Sequence, residues 1–163
     1  MIQCKQVILV ASLTIAGGAQ AQRATSRAQD SSTVVFVCEH GTVKSTLAMA
    51  LFNAMATERG LAVRAISRGT APDSALPPVM RNGLAADRLS LHSFTPTRFS
   101  GADLNRALLV ISFDQPSVAS TVGTRAPVRA WDNMPAVSYN YAVARDSLRA
   151  RVRALIDSLA KHR

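Results

Sequence analysis

Thr33-Val34-Val35-Phe36-Val37-Cys38-Glu39-His40-Gly41-Thr42-Val43-Lys44-Ser45 is the stretch on which the fold turns. Its first five residues are an unbroken β-prone run, the pattern of a strand covered on both faces. Glu39 to Thr42 breaks the run with a glycine. A helical pattern follows, with Leu47, Ala50, Leu51, Ala54 and Met55 forming one apolar stripe. Gly60 suits a left-handed cap at the end of that helix. A strand, a glycine-bearing turn and a helix in this order are the start of a βα unit.

The remainder repeats the alternation. Leu61 to Ser67 reads as a second strand, and Arg68 to Pro78 as a loop rich in Gly, Pro, Ser and Asp. Helices are expected over Val79 to Asp87 and Ser100 to Arg106, a third strand over Leu108 to Ile111, a helical turn over Pro116 to Val122, and a fourth strand over Val128 to Trp131. The last segment carries Leu148, Val152, Leu155, Ile156 and Leu159 on one helical stripe, with arginines opposite. Parallel strands need crossover connections, and the crossovers wrap helices over the sheet. The expected fold class is α/β: a doubly wound, four-stranded parallel sheet with helices on both faces. Ligands bind such sheets at the carboxyl ends of the strands, and Cys38 stands at the carboxyl end of the first.

Upstream, Met1 to Lys5 is short and basic, Gln6 to Ala19 is mostly apolar, and Ala19-Gln20-Ala21 offers small residues around one larger one. This is the three-part pattern of a secretory signal. The expected organisation is a signal over 1–21, a polar flexible leader over 22–32 and one domain over 33–163, with the mature protein periplasmic or secreted and near the membrane only during export. Cleavage would remove Lys5, leaving 18 basic against 10 acidic residues of the full chain's 19 and 10. It would also remove Cys4, leaving Cys38 as the sole cysteine and no internal disulfide.

The 163 residues suffice for one core. Apolar residues make up 48% and charged residues 18%, a globular balance. The formal charge of +9 raises the local concentration of anions. The basic residues are scattered without a dense run and with little aromatic interleaving, so nucleic acid binding has no positive support.

A loop between a buried strand and a helix start can aim several backbone N–H groups into one concavity, where a tetrahedral oxyanion fits. A thiol in the same field is shifted toward its thiolate, which is the nucleophile. Cys38 is therefore either that nucleophile or a small buried hydrophobe. Ser45 either donates its hydroxyl to the sulfur or caps the helix. Lys44 places a cation beside the anion or is an exposed first-turn lysine. Glu39 is expected to face water, because a carboxylate turned inward would oppose a thiolate. His40 is expected to be a solvated loop histidine. It has only His92 and His162 as histidine companions, so no metal-ligand spacing exists. Asp132 is a proton donor or a turn residue. Trp131 is read as a packing residue, and Tyr139 and Tyr141 as surface residues.

The segment from Cys38 resembles the phosphate loop of the low-molecular-weight phosphotyrosine phosphatases and of the arsenate reductases that share their fold. Those proteins carry Cys-x5-Arg-Ser after their first strand. Here the residues are Cys38, five others, and Lys44-Ser45. The family's Ser-Ala-Gly-Thr after the second strand corresponds to Ser67-Arg68-Gly69-Thr70, and its late Asp-Pro loop to Trp131-Asp132-Asn133-Met134-Pro135. The similarity spans about residues 33 to 160. It implies the phosphotyrosine protein phosphatase I-like fold and a hydrolase acting on a phosphorylated protein or small aryl phosphate. Cys38 would be the nucleophile, forming a phosphocysteine. Glu39, His40, Gly41, Thr42, Val43 and Ser45 would bind substrate, Lys44 would stabilise the transition state, and Asp132 would be the general acid. No metal or organic cofactor is implied.

Two positions depart from the pattern. Lysine replaces the arginine whose planar fork grips two phosphoryl oxygens, and Asp132 is separated from Pro135. Arg68 offers a replacement guanidinium or is a surface arginine. The competing functions are an arsenate reductase that would need an external thiol, and a non-catalytic oxyanion-binding module.

Overall fold

A computed structural model describes residues 33–161 apart from 90, 92 and 121–125. The signal, the leader, Cys4, His92 and His162 lie outside the described residues. Thr33–Cys38 forms strand β1, whose β-branched run supplies an extended backbone with apolar groups on both sides. Helix α1 follows over Lys44–Glu58, then β2 over Arg64–Gly69, α2 over Pro78–Ala86, α3 over Gly101–Arg106, β3 over Leu109–Ser112, α4 over Pro116–Ala119, β4 over Val128–Ala130, and α5 over Tyr141–Lys161. The sheet is parallel throughout in the order β2-β1-β3-β4. Val35 pairs with Ile66 on one side and Val110 on the other, so β1 is interior.

The period of two along β1 splits its side chains between two cores. Val34, Phe36 and Cys38 join the residues of α1, α2 and α5, while Val35 and Val37 join Leu104, Val110 and Val118 beneath α3 and α4. Helices thus cover both faces, as the alternation of elements requires. Phe36 anchors the larger core. It stacks on Phe113 at 6.1 Å, meets Phe52 edge-on at 6.1 Å and lies 5.8 Å from Trp131. Trp131 is thereby a packing residue, with the Arg151 guanidinium over its ring.

Three local expectations shift. The second strand begins at Arg64 rather than Leu61, because the Leu61 N–H donates to Ala56 O and the Gly60 N–H to Thr57 O, closing the end of α1. It runs on to Gly69 because Arg68 and Gly69 continue to pair with Val37 and Cys38. Helix α1 is not a one-striped amphipathic helix. Residues Ser45 to Phe52 are all buried, since the sheet covers one side and α5 packs on another. Its polar residues in that turn are consequently buried too. Tyr141 is a packed residue rather than a surface one: its hydroxyl donates to Asp87 Oδ2 at 2.9 Å, and its ring fills the space beside Gly83. Burial, and then the Asp87 bond, pushes the Tyr141 phenol above its ordinary value. Tyr139 does lie on the surface.

The chain steps from β1 outward to β2, then back across to β3 on the far side of β1. The reversal opens a crevice at the carboxyl ends of β1 and β3. Cys38 ends one of those strands, and Phe113-Asp114 follows the other.

Candidate active site

The loop from Cys38 to Lys44 is fixed by its carbonyls. Thr70 N–H donates to Cys38 O at 3.1 Å, Ala71 N–H to Glu39 O at 2.8 Å and Asp73 N–H to His40 O at 3.1 Å. Gly41 O accepts from Thr46 Oγ1 at 2.8 Å, with Ser67 Oγ 3.0 Å away, and Val43 O accepts the Leu47 N–H at 2.9 Å. With these carbonyls engaged, the amides between them are left to other partners, and the Gly41 N–H points to the sulfur. Among the described residues, the N–H groups of Glu39, His40, Thr42 and Val43 have no acceptor on the chain. The helix start behind them adds its partial positive charge.

The loop closes this tightly because two glycines meet. Gly41 has φ of +65°, and a Cβ on Gly69 would stand 2.9 Å from Gly41 N and 3.0 Å from Glu39 O. A side chain at either position would push the loop off β2.

Two donors converge on the sulfur. Gly41 N–H reaches Cys38 Sγ at 3.3 Å, and Ser45 Oγ lies 3.0 Å from it. Ser67 Oγ donates to Ser45 Oγ at 2.8 Å, and Thr46 Oγ1 is bonded to Gly41 O. One consistent proton arrangement therefore runs from Ser67 to Ser45 to sulfur. It leaves Sγ as acceptor of both bonds, the part a thiolate plays better than a thiol. Cys38 is almost wholly buried yet forms part of the wall of a cleft of about 500 Å³. Val43, Pro77, Val79, Phe113, Ala136 and Val137 give that cleft apolar walls, and Glu39, His40, Lys44, Asp73, Asp114 and Gln115 its polar groups.

Lys44 is half withdrawn from solvent, with Nζ 2.5 Å from Asp114 Oδ2. Asp114 in turn takes the Asn133 N–H on Oδ1 at 3.2 Å and donates its own N–H to Asp132 Oδ1 at 3.1 Å. Asp114 and Asn133 both hold left-handed backbone angles, φ 51° and 59°. These bonds clasp the loop after β3 to the loop after β4.

The structure brings Cys38, Glu39, His40, Gly41, Thr42, Val43, Lys44 and Ser45 together as the sequence suggests. Gly41, Thr42 and Ser45 are buried in the loop, and Glu39 and His40 stand exposed at the rim. Asp132 stands at the edge of the cleft, exposed, with its Oδ1 accepting the N–H of the cleft-lining Asp114 at 3.1 Å. The segment that follows gives the cleft only Ala136, Val137 and Ser138. His40 is not merely solvated either. Its Nδ1 lies 3.2 Å from Asp73 Oδ1 and its Nε2 3.7 Å from Glu39 Oε2. Arg68 supplies no replacement guanidinium, since its Nε donates to Asp103 Oδ1 at 3.0 Å beside α3. The residues that sequence reading missed are Thr46, Ser67, Asp73 and Asp114. Ser67 stood in the Ser67-Arg68-Gly69-Thr70 match. Asp114 is the first carboxylate after β3, at the edge where ligands bind.

A sequence profile described as low molecular weight phosphotyrosine protein phosphatase matches residues 33–130. No curated protein sequence matches the chain significantly. Among solved structures, YfkJ from Bacillus subtilis superposes with a TM-score of 0.72 at 18% identity, covering 82% of this chain and 97% of that one. A low molecular weight protein tyrosine phosphatase from Bacillus subtilis gives 0.66 at 23% identity, covering 79% and 97%. The thioredoxin-dependent arsenate reductase of Corynebacterium glutamicum gives 0.68 at 19% identity, covering 88% and 71%. At these identities the likeness concerns the fold.

Proposed function

Because the chain belongs to the low molecular weight phosphotyrosine protein phosphatase family, we propose that it hydrolyses phosphomonoesters, with phosphotyrosine or a small aryl phosphate as substrate, through a phosphocysteine on Cys38. One observation carries the reading: the carbonyls of Cys38, Glu39, His40, Gly41 and Val43 are engaged away from the loop, its other amides have no acceptor among the described residues, and the sulfur takes the Gly41 N–H and lies 3.0 Å from the Ser45 hydroxyl. In-line attack on phosphorus from that sulfur breaks the ester bond, and water then frees the phosphate. The amides would hold the phosphoryl oxygens through both displacements, where negative charge develops. Dividing one displacement into two lowers each barrier. The apolar walls of the cleft suit an aryl ring. The same proposal places the enzyme in the periplasm or outside the cell, on the strength of residues 1–21.

The test is to trap the intermediate. After a short reaction with p-nitrophenyl phosphate and acid quenching, mass spectrometry is expected to find one phosphoryl group on the peptide carrying Cys38. Phosphate binding with neither turnover nor trapped intermediate would instead favour the oxyanion-binding module. Thiol-dependent reduction of arsenate would favour the reductase.

Lys44 bears on the rate. An ammonium is a point charge, and here it is committed to Asp114. A guanidinium could keep Asp114 on one edge and present the other to the phosphoryl group. Lys44→Arg is expected to raise kcat for p-nitrophenyl phosphate roughly tenfold, the equivalent of about 1.4 kcal/mol from an added charge-assisted hydrogen bond. A fall in kcat would mean that the cradle is shaped around the ammonium.

A further inference from the structure

Cleavage of an aryl ester needs a proton for the departing oxygen, and the residue expected to supply it does not line the cleft. Asp132 is turned to the Asp114 N–H, and the wall built by Ala136, Val137 and Ser138 contains no acid. The groups that do line the cleft offer a second source of the proton. The titratable ones are Cys38, Glu39, His40, Lys44, Asp73 and Asp114. Cys38 is the nucleophile. Lys44 and Asp114 neutralise each other, and the second oxygen of Asp114 takes the Asn133 N–H. Asp73 accepts the Thr42 hydroxyl on Oδ2 at 2.7 Å and faces His40 with Oδ1, so both of its oxygens are engaged. Glu39 projects into solvent, with its nearer oxygen 3.7 Å from His40 Nε2.

His40 remains. Imidazole is the side chain that exchanges a proton near neutral pH. The ring is held between two carboxylates, Asp73 at Nδ1 and Glu39 at Nε2. Resting on the same ring of backbone that would wrap the phosphoryl group, His40 is fixed relative to any bound substrate. It is about half exposed at the rim, the side from which the leaving group must depart if sulfur attacks from the floor.

We infer that His40 is the acid that protonates the leaving group, with Asp73 as the positioning residue that holds its ring; this rests on the hydrolase reading above. In the first step the Cys38 sulfur forms its bond to phosphorus, the bond from phosphorus to the ester oxygen breaks, and that oxygen keeps the electron pair and takes the proton from Nε2. In the second step a water oxygen bonds to phosphorus, the sulfur–phosphorus pair returns to sulfur, and Nε2 takes the water's proton. The imidazolium is restored, and the products are the phenol and inorganic phosphate.

The experiment compares two substrates that differ in their need for the proton. Nitrophenolate leaves p-nitrophenyl phosphate readily without protonation, whereas phenyl phosphate releases a phenol of ordinary basicity, like that of tyrosine. For His40→Asn, kcat/KM, which reports the first displacement alone, is expected to fall about 100-fold or more with phenyl phosphate and to stay within roughly threefold with p-nitrophenyl phosphate, while kcat falls for both as far as the shared second step limits it. Asp73→Asn should show the same selectivity to a smaller degree. Asp132→Asn, which keeps an oxygen for the Asp114 N–H, should leave the ratio of the two rates unchanged. Inhibition by inorganic phosphate checks that each variant keeps its loop. Equal loss of kcat/KM on both substrates in His40→Asn, or selective loss in Asp132→Asn, would overturn the assignment alone. Wild-type protein that turned over neither substrate would overturn the hydrolase reading as well.

Discussion

Cys38→Ser is expected to abolish turnover of p-nitrophenyl phosphate, with kcat falling on the order of 10⁴-fold or more, as when the nucleophile of a covalent mechanism is removed. The geometry makes this a clean substitution. Serine keeps a side-chain atom near the sulfur position, and the loop is anchored through carbonyl bonds that involve no sulfur at all. The cup of amides should therefore survive. The hydroxyl has no base among its partners, since its neighbours are Gly41 N–H and Ser45 Oγ, a donor and another hydroxyl. It would remain protonated and unreactive. Inhibition constants are not available from a dead enzyme, so the companion measurement is calorimetric binding of inorganic phosphate, expected to stay within about threefold of wild type. Residual turnover within tenfold of wild type would mean that water attacks phosphorus directly, and the covalent route would fail.

Phe36→Ala is expected to cost about 3–5 kcal/mol of folding stability, the range for truncating a buried phenylalanine. Phe36 is fully buried, and its ring touches Phe52, Phe113 and Trp131, so its removal leaves a cavity walled by rings that cannot all collapse inward. Such a loss is a large share of the stability of an ordinary domain. It should appear as a lower urea midpoint with an unchanged slope. Because Phe36 lies two residues before Cys38 and Phe113 immediately before Asp114, the same substitution should also loosen the site. A loss under about 1 kcal/mol would contradict the placement of this ring at the centre of the core.

The strands and helices were legible because their signals are local. The Val34 to Val37 run, the stripe on α5 and Gly60 each act within a few residues. What the sequence concealed depends on neighbours far along the chain. Thr46 carries no signal of its own, but α5 and the sheet bury that whole turn and set its hydroxyl against Gly41 O and Ser67, next to the Ser45 hydroxyl whose place beside the sulfur the sequence does suggest. Asp132 stands in the expected place in the chain, two residues after β4, yet its carboxylate is captured by an amide 18 positions earlier. No spacing rule contains that bond. Asp73 is unremarked in a polar loop until the fold sets it against His40 and Thr42. The apolar character of Leu61 favours a strand, whereas the bond that closes α1 claims its backbone.

The tethered carbonyls have a consequence for what may enter. A ring of donors rigid before any guest arrives recognises shape and charge and is indifferent to the element at the centre. Arsenate, vanadate and phosphate present the same four-cornered outline, so each should dock without remodelling its host. Selectivity among them then falls to the chemistry that follows docking: how firmly sulfur holds the central atom, and how quickly water takes it away.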